Sequence, residues 1–361
     1  MQEILDLYID YLICSTSYTT AVGLSRLTNN AVSHDKITRF LSSKDYSNLD
    51  LWKVAKPYCK SIEGTGSVII IDDCIEEKPY TDENEIVSWH YSHTDGRSIK
   101  GINFVTALLR TEKGSCPVGY ELVRKTKESI NEKTGKKQRK SPVSKQQNYR
   151  SLLSMAIANG IQFEYVLNDT WFASKENMNF IRNDLKKQFI IPLKANRKVA
   201  LSEEDKPLGH FVRIDSVKPE ENTLVRLEGV DFPLRFTRQV FKNEDGSAGV
   251  LYLVSSNLDL TDEQIQAIYK KRWKVEEYHQ SLKMNASLDK SPAKTPRTQA
   301  NHIFASLCAY IRLDQLAHNT NNNHHSLKRK IYLEALKKAM LELQKFKNQI
   351  CQSEYSSYAP A

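Results

Sequence analysis

The chain has 361 residues, 40% of them hydrophobic and 9% aromatic, which is enough for a sizeable core and excludes an intrinsically disordered polypeptide. No apolar run approaches the roughly 18 residues that a bilayer-crossing helix needs, and the acidic opening segment MQEILDLYIDYLIC does not read as a secretory leader. The net charge of +9 suits an anionic partner.

A cytoplasmic, nucleoid-associated location is expected, with no membrane partner. Cys14, Cys59, Cys74, Cys116, Cys308 and Cys351 are scattered and form no CxxC pair, so they read as reduced thiols rather than a zinc or redox site.

Residues 1–60 read as a helical N-terminal region that contacts DNA. Within it, Tyr18 to Leu41 has the shape of two short helices around a turn. Ala21, Leu24 and Leu27 give one apolar face, Asn29-Asn30 breaks it, and Ser33 caps a second helix carrying Ile37, Phe40 and Leu41. Lys36, Thr38 and Arg39 then project outward, as in a helix-turn-helix. A plain helical bundle accounts for the same pattern.

At Ser67 the pattern changes. SVIIIDD is a short β-branched run ending in two acids, suited to a buried central strand. Ile102–Arg110 and Cys116–Val123 follow as a hairpin around Glu112-Lys113-Gly114. From Arg124 to Arg150 there are ten Lys or Arg against two acids, Glu128 and Glu132. This segment is expected to be an exposed loop whose Lys136, Lys137, Arg139 and Lys140 contact phosphates; a solvated loop is the alternative.

A helix over Tyr149–Asn159, a strand over Phe163–Leu167 ending at Asn168-Asp169, a helix over Lys175–Lys187 and a strand over Phe189–Leu193 complete the unit. That order of elements resembles an RNase H-like α/β core, of the retroviral integrase type, over 61–194. Residues 195–256 read as a β-rich insertion domain with strands at Leu224–Leu227, Leu234–Phe241 and Val250–Val254. Residues 257–320 carry the second part of the core, and 321–361 a C-terminal helical region.

The chemistry concentrates on a helix starting at Thr261, which has capping-box spacing with Gln264. On this helix Tyr269, Arg272, Glu276 and Lys283 fall within about 60° of arc, beside an apolar stripe of Ile268, Val275 and Leu282. His279 reads as structural, on another face. Two acid positions, Asp72-Asp73 and Asp169, stand at the ends of predicted buried strands. Carboxylates there are costly unless a cation joins them, and a pair of Mg²⁺ ions, with Mn²⁺ able to substitute, meets that need.

These residues carry a resemblance. YKKRWKVEEYHQSLK, Tyr269 to Lys283, resembles the Tyr-x2-Arg-x3-Glu-x6-Lys signature of one group of bacterial insertion-sequence transposases of the Asp-Asp-Glu class. IIIDDC resembles that family's first-aspartate strand and VLNDTWFAS its second; the likeness covers roughly residues 20–315. Cys74 stands where relatives often have Thr.

The resemblance implies an enzyme that cuts the ends of a mobile element and joins them to target DNA by metal-dependent phosphoryl transfer. Asp72 or Asp73, with Asp169 and Glu276, would be catalytic metal ligands, Asp73 being slightly favoured as the first aspartate. Tyr269, Arg272 and Lys283 would hold phosphates beside the cut. The partners implied are double-stranded DNA, as terminal inverted repeats and target, and a second copy in a synaptic homodimer.

Three rivals are weighed. A domesticated DNA-binding protein would lose a carboxylate, and none is missing. Another RNase H-like nuclease would lack the β insertion and the Tyr-Arg-Glu-Lys helix. A tyrosine recombinase, with Tyr269 as its nucleophile, would leave a covalent 3′-phosphotyrosine adduct, and that separates it at once. Trp89-His90-Tyr91-Ser92-His93 has spacing unsuited to a metal and reads as packing or as a loop lining DNA. Trp171 is expected to pack under the active site.

Overall fold

Val68, Ile69, Ile70 and Ile71 have no exposed surface and open the strand at the centre of the sheet. β-branched side chains are stiff at χ1 and suit a strand covered on both faces. Burying each fully contributes about 1.5–3 kcal/mol relative to exposure. The computed structural model describes residues 2–356 except 93–95, 131, 133, 134, 136, 221, 222, 243–245 and 247.

Four helices lead: α1 (Gln2–Cys14), α2 (Ala21–Leu27), α3 (His34–Ser42) and α4 (Asn48–Ile62). The strands β1 (Val68–Glu77), β2 (Val87–Ser92), β3 (Arg97–Arg110) and β4 (Ser115–Leu122) follow, then a small hairpin, β5 (Lys127–Ile130) and β6 (Lys137–Lys140). Next come α5 (Lys145–Ala158), β7 (Tyr165–Leu167), α6 (Lys175–Asn179) and β8 (Gln188–Leu193). The short pieces β9 (Lys198–Val199), α7 (Asp205–Leu208), β10 (Val212–Arg213) and β11 (Leu224–Val225) precede the longer β12 (Leu234–Lys242) and β13 (Ala248–Ser255). The helices α8 (Asp262–Lys270), α9 (Lys274–Met284), α10 (Pro296–Thr320) and α11 (His324–Ser356) close the described chain.

The architecture is mixed α/β around one central mixed sheet, ordered β11-β12-β13-β8-β7-β1-β3. The outer side of β3 is shared by β2, along Arg97–Ile102, and β4, along Phe104–Arg110. β1, β7 and β8 run parallel, and β3 is antiparallel to β1. Gly101 lets β3 approach β1 closely: a Cβ there would lie 2.3 Å from the Glu76 carbonyl oxygen.

α10 is the helical counterpart of β1. Its residues Gln299–Ile311 are all buried, and α1, α3, α4 and β4 pack on it. Tyr8 of α1 bonds His302 Nδ1 at 3.0 Å, and the other ring nitrogen bonds the Ser287 carbonyl at 2.9 Å.

Several expectations need correction. β1 continues to Glu77, so Asp72 and Asp73 lie in mid-strand, not at its end. β2 was not anticipated. The strands of 195–256 do not stand apart: Tyr252–Ser255 of β13 pair with Ile190–Leu193 of β8, so β11 to β13 extend the central sheet. The basic segment is not a plain loop, because Lys127–Ile130 pair with Lys137–Lys140. The helix begun at Thr261 is broken by a 3₁₀ turn over Lys271–Trp273. α2 and α3 form, but of the face expected on the first helix only Leu24 is buried and Leu27 is 70% exposed. Ser33 accepts a hydrogen bond from the Lys36 amide, Ile37, Phe40 and Leu41 are buried, and Lys36, Thr38 and Arg39 are exposed.

A candidate metal-dependent active site

The acids meet because two parallel strands part. β1 and β7 pair only as far as Ile70 opposite Leu167; β7 then stops while β1 continues. Asp72 on β1, and Asp169 two residues past β7, therefore flank a crevice that opens where β7 ends beside the continuing β1. α9 brings Glu276 to the same crevice. With Arg272, His279, Lys283, Lys145 and Lys125, these acids line a cavity of about 780 Å³.

Asp72 and Asp73 point to opposite faces of β1, as neighbours on a strand must. Asp72 faces α9: its Oδ2 lies 3.7 Å from Arg272 Nη1, and the same nitrogen is 3.3 Å from Glu276 Oε1. Asp73 faces α5: its Oδ2 accepts from Lys145 Nζ at 2.7 Å and from Asn103 Nδ2 at 2.8 Å. The slight preference for Asp73 as the first aspartate thus meets a contrary geometry. Asp73 already has its cation, and Asp72 is the one grouped with Glu276.

Asp169 caps a 3₁₀ turn, accepting from the amides of Trp171 at 3.0 Å and Phe172 at 3.4 Å. Its neighbour Asn168 is fixed by Tyr149, whose hydroxyl donates to Oδ1 at 2.8 Å. Tyr269 donates to the Asn168 carbonyl at 3.3 Å and is only 7% exposed. Tyr269 therefore braces the strand end that carries Asp169. Its hydroxyl proton is engaged by the backbone.

The charges are incompletely balanced. Burial first, then the carboxylates of Asp169, Asp73 and Glu276, hold Asp72 well above the ordinary carboxylate range, with Arg272 opposing. Burial also raises Asp169, against the Phe172 and Trp171 amides and Arg272. Oxygen donors of Asp72 and Glu276 and a ring nitrogen of His279 lie within 4.8 Å of one another. This donor set fits a divalent cation, and the Arg272 guanidinium stands between the carboxylates of Asp72 and Glu276.

His279 was misplaced in the sequence. It lies three residues after Glu276, and side chains at that spacing are neighbours on a helix. Its Nε2 is 3.3 Å from Thr106 Oγ1, and burial pushes its pKa down to about 4. Lys145, also missed, had a signal: Ser144 and Gln147 form a capping box that puts Lys145 in the first turn of α5.

The remaining candidates scatter. Lys283 Nζ donates to the Ile75 carbonyl at 3.3 Å, at the edge of the cavity. Lys137, Arg139 and Lys140 stand on the β5–β6 hairpin, outside the residues that line the cavity. Arg139 pairs with Glu128 at 3.2 Å across that hairpin. Lys136 and His93 lie outside the described residues. Trp89 and Tyr91 alternate outward on β2 while His90 is buried against Ser88 Oγ at 3.0 Å, its pKa pushed down to about 3 by burial and the nearby lysines. Trp171, expected beneath the site, is instead exposed on the cavity wall.

Residues 1–208 match the DDE superfamily endonuclease family, and the chain belongs to it. Residues 139–312, which include Asp169 and Glu276, match the transposase DDE domain. No curated protein matches. Among solved structures, the chain is similar to the Drosophila P element transposase strand transfer complex, with 10% identity and a TM-score of 0.28. That match covers 58% of this chain and 48% of the other, so the chain spans about half of its length. Among the described residues, no helix is long and apolar enough to cross a membrane.

Proposed function

We propose that the chain is a DNA transposase that cuts at the ends of a mobile element and joins them to target DNA, on an RNase H-like core. One observation carries this reading: Asp72, Asp169 and Glu276, from segments far apart in the chain, line one crevice with a guanidinium between two of them. Asp72, Asp169 and Glu276 act as ligands of a divalent cation, and Mg²⁺ or Mn²⁺ supports the reaction. A bound divalent pair would supply Lewis-acid chemistry for phosphoryl transfer.

The protein's own residues do the rest. Asp169 is oriented by the Trp171 and Phe172 amides, and Tyr269 holds the strand end beneath it. Arg272, once released from the carboxylates, presents a planar fork to a phosphate beside the scissile one; Lys283 adds a point charge along the same wall. Lys145 keeps Asp73 neutralised, so that Asp72 alone faces α9.

The substrate is double-stranded DNA, as terminal repeats and target, held by two copies of the chain. The helices of 1–60 and the basic hairpin, Lys136 included, supply further phosphate contacts. The domain layout follows the same plan, with 61–194 and 257–320 forming the core and 321–361 a C-terminal helical region. Residues 195–256 form an insertion continuous with the core sheet.

The test uses Asp169→Asn and Glu276→Gln on DNA carrying the sequences that flank this reading frame. Both variants are expected to bind it in a gel shift and to fail to cut it. Full cleavage by either removes the assignment.

A further inference from the structure

We propose that His279 is a ligand of the divalent cation held by Asp72 and Glu276, which makes this a mixed nitrogen–oxygen site that prefers Mn²⁺ to Mg²⁺. The inference rests on the reading of Asp72 and Glu276 as cation ligands and adds a residue outside the three acids.

Glu276 and His279 are three residues apart on α9, so both side chains cover one patch of its surface. That patch lies over Asp72, which is paired in register with Thr106 of β3. A ring nitrogen of His279 and carboxylate oxygens of Asp72 and Glu276 all fall within 4.8 Å of one another. A cation seated among them would need only small side-chain adjustments to reach all three.

The ring is held for that purpose. Thr106 Oγ1 donates to the Asp72 carbonyl at 3.4 Å and meets His279 Nε2 at 3.3 Å. Tyr278 packs beside the imidazole with ring centroids 5.1 Å apart. Thr106 therefore ties the ring to the backbone of the strand that carries Asp72.

The donor chemistry sets the preference. Mg²⁺ takes oxygen ligands and holds its waters, whereas imidazole suits later divalent metals. Three acids alone would bind Mg²⁺ and Mn²⁺ with little distinction. An added imidazole moves the balance toward Mn²⁺.

The experiment uses the full chain, without DNA, titrated with Mn²⁺. Bound Mn²⁺ is followed by electron paramagnetic resonance, and pulsed spectra are examined for ¹⁴N coupling from a directly bound imidazole. Calorimetry with Mg²⁺ runs in parallel. Wild type is expected to give the nitrogen coupling, and His279→Gln to lose it. The substitution should weaken Mn²⁺ binding by at least about tenfold and Mg²⁺ binding by less. Mn²⁺ bound by the wild type without nitrogen coupling overturns the assignment of His279 and leaves the acids' role intact. No Mn²⁺ binding at all overturns the cation site itself, and His279 with it. The wild-type spectrum decides even if the variant does not fold.

Discussion

Asp72→Asn should make the metal-free protein more stable while removing its activity. Carboxylate atoms of Asp72 and Glu276 lie within 4.8 Å. Two like charges about 4 Å apart repel by roughly 1 kcal/mol in water and 4 kcal/mol near a protein surface. Glu276 has a side chain 44% exposed, which favours the lower end of that range, and Arg272 offsets part of the repulsion from 3.7 Å. A net gain of about 1–2 kcal/mol remains for the amide, a rise in Tm of about 2–4 °C. Asn at 72 keeps an acceptor for the Asp73 amide, which Asp72 Oδ1 now receives at 2.9 Å.

The pH dependence follows from direction. The folded chain holds the Asp72 proton to higher pH than the unfolded chain does, since its neighbours raise it. The stability gained by protonation is therefore full below the unfolded pKa, near 4, and is lost as pH rises through the folded value. The advantage of the variant should be largest at neutral pH and fade towards pH 4. Mg²⁺ at about 100 times its Kd should stabilise the wild type by roughly 2.7 kcal/mol and the variant by much less. Scanning calorimetry at pH 7.5 and pH 4, with and without Mg²⁺, reads all of this. A variant that melts below the wild type at pH 7.5, yet responds equally to Mg²⁺, refutes the reasoning.

Other consequences can be measured as directly. Neutralising Lys137, Arg139 and Lys140 together should lower the slope of log K against log salt by about 0.9 for each phosphate that the hairpin no longer neutralises; an unchanged slope means that the hairpin does not touch DNA. Arg272→Ala should cost on the order of 10²-fold in the rate of cleavage and joining with little loss of binding, because a misplaced strand cannot be attacked in line. If it acts only as the i,i+4 partner of Glu276, worth roughly 0.3–0.5 kcal/mol, pre-nicked and intact ends will react at wild-type rates. Gly101→Ala should lower the melting temperature, since its Cβ would meet the Glu76 carbonyl at 2.3 Å; an unchanged melt would show that β1 and β3 can separate at no cost.

Local signals in the sequence carried far, and non-local ones did not. The run Val68–Ile71, the hairpin around Glu112-Lys113-Gly114 and the Thr261 capping box each depend on neighbours, and each appears where its pattern puts it. The pairing of β13 with β8 joins residues some 60 apart, and nothing local in 195–256 announces it. β2 was hidden because Trp89 and Tyr91 face outward, which inverts the usual polar-out alternation. The break at Lys271–Trp273 falls in residues with ordinary helix propensity, and it turns Tyr269 into the core while Arg272 and Glu276 stay at the crevice. The sequence could not separate Asp72 from Asp73, because that depends on which helix covers which face of β1. His279 is different: its spacing from Glu276 was readable, and the face was assigned wrongly.

Cutting of DNA by these acids with a bound divalent cation can be measured on the protein itself. The most direct measurement incubates the purified chain with plasmid DNA carrying its flanking sequences, in Mg²⁺, Mn²⁺, Ca²⁺ or EDTA, and maps the products. Divalent-metal catalysis by these acids predicts strand cuts with free 3′-hydroxyl ends in Mg²⁺ or Mn²⁺, little cutting in Ca²⁺, and no protein attached to the DNA. Cleavage that persists in EDTA, or a covalent protein–DNA adduct, would contradict it.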